Sequence, residues 1–78
     1  MKKWNVNYGD NRILIENEWN REALFVNGEL QDERLGGFRT ESRLYGKLPT
    51  GELIKVSLGG TFTIKCRIFI DNKLVPFK

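Results

Sequence analysis

The chain of 78 residues has no histidine, a single cysteine and two prolines. The lack of histidine removes the commonest general base, the Ser-His and Cys-His pairs and most zinc sites. The lone Cys66 can form neither an internal disulfide nor a cysteine metal cluster, which is typical of a reducing cytoplasm. Because Cys66 lies within an apolar alternation, we predict a packing residue there and not a nucleophile.

Paired carboxylates are the one catalytic option left, in Glu16 with Glu18 or among Glu29, Asp32 and Glu33. General acid-base catalysis needs such pairs in a cleft with separated pKa values, whereas adjacent acids in a polar segment are typical of a solvated face. We therefore predict that the protein is not an enzyme and has no catalytic residue, no metal site and no cofactor.

Long apolar runs are also missing, since no stretch reaches the roughly 18 residues of a membrane helix. Met1-Lys2-Lys3 is followed by Trp4 and not by an apolar segment, so a signal peptide is not expected. The length suits one domain over residues 1–78, near the lower size limit for a self-supporting core. We expect this domain to be cytoplasmic, with no membrane partner.

What the sequence does contain is a repeated strand-turn-strand phrase. Residues 24–30, LFVNGEL, return as residues 68–74, IFIDNKL. A two-residue hairpin turn requires positive φ at both central positions. Asn-Gly is the strongest short signal for such a turn, and Asp-Asn is a weaker one, since both of its residues tolerate positive φ. Two-residue turns place Phe25 beside Leu30 and Phe69 beside Leu74.

Other runs of alternating apolar residues bring the total to about eight short strands, with no helical period. Such strands cannot bury their apolar surface in one flat sheet. The sequence therefore predicts an all-β fold, a small antiparallel β-sandwich or a flattened barrel built from hairpins.

The alternation of odd and even sequence positions predicts the strand register in residues 42–70, where the even positions are apolar. Odd loop lengths keep the apolar sets on one face. A turn at residues 49–51 places Leu44 opposite Val56, and a three-residue loop at 59–61 places Ile54 opposite Cys66. The same loop sets Lys55 directly across from Lys65, a mildly destabilising pair of like charges.

The odd-numbered face of this segment is basic. Residues 1–41 hold six Lys/Arg and eight Asp/Glu, a net charge of −2, whereas residues 42–78 hold seven and two, a net charge of +5. Cations interleaved with aromatic rings on a sheet are typical of single-strand nucleic-acid binders, although outward cations also serve solubility. The candidate residues for binding nucleic acid or another polyanion are Arg43, Tyr45, Lys47, Lys55, Lys65 and Arg67.

A second candidate surface is apolar. If the two hairpins come together, their residues Phe25, Leu30, Phe69 and Leu74 form a patch suited to a protein partner or to self-association. The alternative is that these four side chains form a second layer of the core.

The repeated phrase, with Trp4 near the start and Ile15-Glu16 in a strand, resembles the Fas apoptosis inhibitory molecule family. Residues 44–52 depart from that family and are more similar to short bacterial proteins. The resemblance implies an antiparallel β domain and a protein-handling or anti-aggregation role, without a catalytic residue. The sequence thus favours a protein-interaction module, and the alternative function is nucleic-acid or polyanion binding through the basic face.

Overall fold

The computed structural model describes residues 2–36, 41–60 and 63–77 as two four-stranded antiparallel sheets. Each sheet is a meander in which strands adjacent in sequence are adjacent in space. The N-terminal sheet holds β1 (Lys2–Tyr8), β2 (Asn11–Glu18), β3 (Arg21–Val26) and β4 (Glu29–Leu35). The C-terminal sheet holds β5 (Glu41–Lys47), β6 (Leu53–Gly59), β7 (Lys65–Ile70) and β8 (Lys73–Val75). The prediction of an all-β sandwich is confirmed.

The hairpin turns follow the residue types that form them. Asn27 and Gly28 have φ of 52° and 85°, and Asp71 and Asn72 have φ of 49° and 67°. Positive φ at both central positions is the primed turn that suits the twist of paired strands. The resulting registers, Phe25 with Leu30 and Phe69 with Leu74, are those predicted.

The repeat extends beyond the hairpins to the strands that precede them. The N–H of Asn27 donates to the Arg12 carbonyl at 2.8 Å, and the Arg12 N–H donates to Asn27 Oδ1 at 2.9 Å. The second hairpin has the same pair of bonds. The N–H of Asp71 donates to the Leu53 carbonyl, and the Leu53 N–H donates to Asp71 Oδ1, both at 2.9 Å. Each turn therefore fixes the start of the strand beside it, and the two halves of the chain are built alike.

One apolar cluster lies between the sheets and holds them together. Its N-terminal members alternate along β1, β2 and β3, and its C-terminal members hold even positions of β5, β6 and β7, with Leu48 directly after β5. Such alternation is expected for strands with one buried face. The buried members are Val6, Ile13, Ile15, Leu24, Val26, Leu44, Leu48, Ile54, Val56, Leu58, Ile68 and Ile70.

The register between β6 and β7 differs from the predicted one. Val56 lies opposite Ile68 and Leu58 opposite Cys66, so the predicted pair of Ile54 with Cys66 does not form. Lys55 consequently faces Phe69, and Lys65 faces Gly59. A slip of four residues keeps every side chain on its face, because the period of a strand is two. The even-odd sorting therefore stands in β5, β6 and β7, while the predicted opposition of Lys55 and Lys65 is wrong.

Side chains of β4 connect the two sheets at one corner. Gln31 is the extra residue of a bulge, since Leu24 pairs with Asp32 and Phe25 with Leu30. The Gln31 amide accepts the Lys47 N–H at 2.7 Å and donates to the Lys47 carbonyl at 2.9 Å. Asp32 Oδ2 accepts the Tyr45 N–H at 2.8 Å. The outer edge of β5 is thus covered by side chains from the other sheet.

Candidate functional site

The basic face is the outer surface of the C-terminal sheet, and its residues are Arg43, Lys47, Lys55, Lys65 and Arg67. Pairing across β5, β6 and β7 arranges them in rows. One row runs Arg43, Ser57, Arg67, and the next runs Tyr45, Lys55, Phe69. Directly opposed residues share a face of the pleat, so all five predicted cations point to the same side.

Most of this positive charge has no acidic partner. Arg43 forms an ion pair with Glu41, with Nη2 2.8 Å from Oε1, and both side chains are exposed. Within residues 2–36, 41–60 and 63–77, no carboxylate lies within ion-pair distance of Lys47, Lys55, Lys65 or Arg67. The face therefore attracts anions, and exposure to solvent leaves its cations free to rearrange around one.

Aromatic rings lie among these cations. The Tyr45 side chain is 55% exposed at the edge strand. Lys55 Nζ lies 4.8 Å from the centroid of the half-buried Phe69 ring, a cation-π contact. Leu53 and Leu74 add exposed apolar surface on either side. A ring with an open face beside unpaired cations is the combination that binds a planar anionic ligand.

The outer face of the N-terminal sheet carries ion-paired charges. Glu16 is shared by Lys3, at 3.6 Å, and Arg21, at 3.4 Å, and Arg21 also bonds to Glu33. The hydrogen bond to Glu33 is the main cause that raises the pKa of Arg21. Arg21 also lies 5.9 Å from the Phe25 ring centroid. Cations and carboxylates neutralise one another here, so this face differs from the basic face although the fold of the two sheets is alike.

The four residues of the predicted apolar patch do not come together. Phe25 and Leu30 lie on the outer face of the N-terminal sheet, while Phe69 and Leu74 lie on the outer face of the C-terminal sheet. Their neighbours Val26 and Ile70 point inward to the core between the sheets. Leu30 and Leu74 remain 49% and 57% exposed, so neither pair forms a closed second layer of the core.

Cys66 packs against the core cluster from the edge of the inner face. Burial raises the pKa of its thiol to about 12, so the thiolate, which is the nucleophilic form, is scarce at neutral pH. Among the residues that the structure describes, no three Cys, Asp or Glu side chains converge on a position where a metal could bind. Nor do these residues form a helix long and apolar enough to span a membrane.

Two features of the faces were not predicted. Ser57 lies between Arg43 and Arg67, which follows from the register and not from any sequence motif. On the N-terminal sheet, Asn5, Asn7 and Arg12 line an open hollow of about 750 Å³ whose floor includes Leu14 and Phe25. Asparagines at alternate positions of β1 are the signal that could have indicated this polar surface.

Comparison with known proteins gives no relative from which a function could be transferred, as neither a family model, a curated protein nor a solved structure matches the chain.

Proposed function

We propose that the protein binds single-stranded nucleic acid on the basic face. The observation that carries this proposal is the charge of that face, where Lys47, Lys55, Lys65 and Arg67 have no carboxylate partner within the described parts of the chain. Unpaired cations on one surface lower the free energy of a bound polyanion and release its counterions. On the outer face of the other sheet, Lys3 and Arg21 are already ion-paired with Glu16 and Glu33, so they gain less from a bound polyanion.

The row of Arg43, Ser57 and Arg67 supports phosphate contacts. Three neighbouring strands set the two arginine Cα atoms about 10 Å apart, with a hydroxyl between them. Arginine side chains of that reach can converge on one phosphate group above Ser57, and the hydroxyl can donate to it. Formation of this contact requires Arg43 to leave Glu41, an exchange between exposed groups that costs little.

Tyr45 supports base stacking next to the phosphate row. Its ring is exposed, lies on the same face as Lys55 and is one residue pair away from Arg43 along the strand. Base stacking on an aromatic side chain stabilises single-strand complexes by about 1–3 kcal/mol per base. A nucleic acid uses both the cations and this ring, whereas a sulfated polysaccharide uses the cations alone.

The test is a fluorescence anisotropy titration with a labelled deoxythymidine oligonucleotide of about 12 nucleotides, repeated over a series of salt concentrations. Contacts from the five cations predict a slope of log K against log salt of about −3.5. The double variant Lys65→Glu/Arg67→Glu should weaken binding at least about tenfold and reduce the slope by about 1.4.

Its matched control is Lys2→Glu/Arg12→Glu, which changes the net charge equally but lies on the N-terminal sheet. The control should bind nearly as the unchanged protein does. Equal losses in both variants would show an effect of net charge alone, and absence of binding at low salt would end the proposal. A heparin fragment that binds equally tightly, with no effect of Tyr45→Ala on either ligand, would assign the face to polyanions in general.

The protein-interaction function favoured by the hairpin phrases stays a prediction. It depended on the apolar residues of both hairpins forming one surface, and Phe25 and Phe69 lie on opposite sides of the sandwich. The implied anti-aggregation role and the family resemblance likewise remain without support from the comparisons. The unpaired charges on the basic face are therefore the better basis for a function.

A further inference from the structure

The four edge strands of the two sheets differ in how their free backbone groups are covered. β5 is covered by Gln31 and Asp32, and β4 is interrupted by its bulge and rich in charged residues. β8 has three residues and is followed by Pro76. Covering side chains, a bulge with charged residues, and a short strand followed by proline each prevent a further strand from adding to an edge. β1 has seven residues without a proline or a bulge, and it hydrogen-bonds within the described residues to β2 alone.

The backbone groups that β1 directs to solvent can be identified from its neighbour. The N–H and C=O of Arg12 bond to Asn27 on the β3 side. Backbone groups alternate in direction along a strand, so Arg12 and its β1 partner Asn7 form a pair without hydrogen bonds. The N–H and C=O of Asn7 therefore point outward, and those of Asn5 and Lys3 do the same.

We propose that β1 is a self-association edge, at which two copies of the chain pair antiparallel about a two-fold axis through Asn5. This register joins the outward groups of Asn5 with those of Asn5 in the other copy and those of Lys3 with those of Asn7. All seven residues of the strand find a partner, and the two N-terminal sheets become one sheet of eight strands. The proposal is independent of nucleic-acid binding, which involves the other sheet.

The side chains fit this register and disfavour others. Trp4, which is half-buried, lies opposite the apolar Val6 of the other copy, and Lys2 lies opposite Tyr8. Aromatic pairs with aliphatic residues or cations stabilise a sheet when directly opposed. An axis through Lys3 would instead oppose two lysines and leave half the strand unpaired. A second copy is thus better matched to this edge than an arbitrary extended peptide.

Sedimentation equilibrium over a concentration series tests the proposal. The unchanged protein should form a dimer, and Asn5→Pro, which removes an outward N–H without touching a bond to β2, should stay monomeric. Asn5→Ala retains the N–H and should still dimerise, and circular dichroism checks that each variant folds. A monomer up to about 1 mM, or a folded proline variant that dimerises normally, would overturn the proposal.

A charge exchange tests the register even if the proline variant fails to fold. Asn5→Lys and Asn5→Asp should each lose the dimer, because like charges meet at the axis. An equal mixture of the two variants should recover a heterodimer with opposite charges paired. A mixture that stays monomeric, or single variants that dimerise as the unchanged protein does, would contradict pairing through Asn5.

Discussion

The side-chain amide of Gln31 occupies the place of a neighbouring strand beside Lys47, accepting its N–H at 2.7 Å and donating to its carbonyl at 2.9 Å. A bulge in β4 makes this possible, because the extra residue leaves the ladder of its own sheet and reaches the edge of the other. One residue therefore links the two sheets and closes the edge of the strand that carries Arg43 and Tyr45.

Substitution Gln31→Ala should expose the β5 edge. Two hydrogen bonds to the Lys47 backbone are lost, and the free energy of unfolding should fall by about 1–2 kcal/mol in urea denaturation. The uncovered edge should also promote concentration-dependent association, visible by light scattering. Arg34→Ala is the control, since its contact with the Arg43 carbonyl is 3.5 Å long and should contribute little. Equal stability of the two variants would contradict this account of the edge.

Gly46 is required where Gln31 and Leu24 approach β5. A Cβ atom added at Gly46 would lie 2.7 Å from Gln31 Oε1 and 2.9 Å from Leu24 Cδ2. Gly46→Ala should therefore destabilise the protein by about 1–3 kcal/mol. In the Gln31→Ala background the loss should be smaller by about 0.5–1 kcal/mol, as a double-mutant cycle of unfolding free energies would show. Strict additivity of the two substitutions would mean that the predicted clash with Gln31 is absent.

The sequence was sufficient for the fold and for the sorting of side chains between faces. Asn27-Gly28 and Asp71-Asn72 specify their turns through positive φ, and these turns fix the two hairpin registers. Parity also sorted Arg43, Lys55 and Arg67 correctly onto one face, because a strand has only two.

The β6–β7 register could not be obtained in the same way. Apolar even positions continue through Phe62 and Ile64 (Phe62 lies outside the described residues), so a slip of four residues leaves the pattern unchanged. The connection depends on Gly60, whose φ is 151° and where an added Cβ would collide with the Thr63 carbonyl oxygen. Such a close approach within a loop is a feature of the folded backbone and leaves no periodic signal in the sequence.

The candidate site was likewise predictable from the sequence only in part. Its cations were predicted from position alone, but the Lys55–Phe69 contact and the row of Arg43, Ser57 and Arg67 depend on the register. Whether Phe25 and Phe69 share a surface depends on how the two sheets pack, and a repeated phrase contains no information about packing. Cross-sheet contacts such as that of Ser42 with Glu22 were likewise not predicted.

Cys66 should be unreactive in the folded protein. With its pKa raised to about 12 by burial, the thiol stays protonated when an unfolded thiol, with a pKa near 8.5, begins to ionise. Alkylation by iodoacetamide at about pH 8 should be at least about a hundredfold slower in the native protein than in urea. Equal rates in the two conditions would show that the thiol is not buried as described.

The same shift makes the stability of the protein depend on pH. The contribution of the Cys66 thiol to the free energy of unfolding is fully present below about pH 8.5. It is lost as the pH rises toward 12, because the thiol of the unfolded chain releases its proton first. The stability difference between the unchanged protein and Cys66→Ala should therefore shrink over this range in urea denaturation. A difference that grows as the pH rises would contradict the direction of the shift.

Tyr45 should contribute to nucleic-acid binding through its ring and not through its hydroxyl. Tyr45→Ala should weaken oligonucleotide binding about fivefold to a hundredfold, while Tyr45→Phe should retain most of the affinity. Neither substitution should change the salt dependence, because no charge is removed. A large loss in Tyr45→Phe would assign the contribution to a hydrogen bond instead of stacking.

The most direct test of the basic face as the nucleic-acid site is a map of amide chemical shifts in ¹⁵N-labelled protein during titration with the deoxythymidine oligonucleotide. We predict the largest changes at Tyr45, Lys55, Ser57, Arg67 and Phe69, and little change at Leu14 or Phe25 on the other sheet. Lys65→Glu/Arg67→Glu should remove these changes at the same concentrations. Changes centred on the hollow beside Asn5 and Arg12, or a spectrum unaltered at low salt, would contradict the assignment.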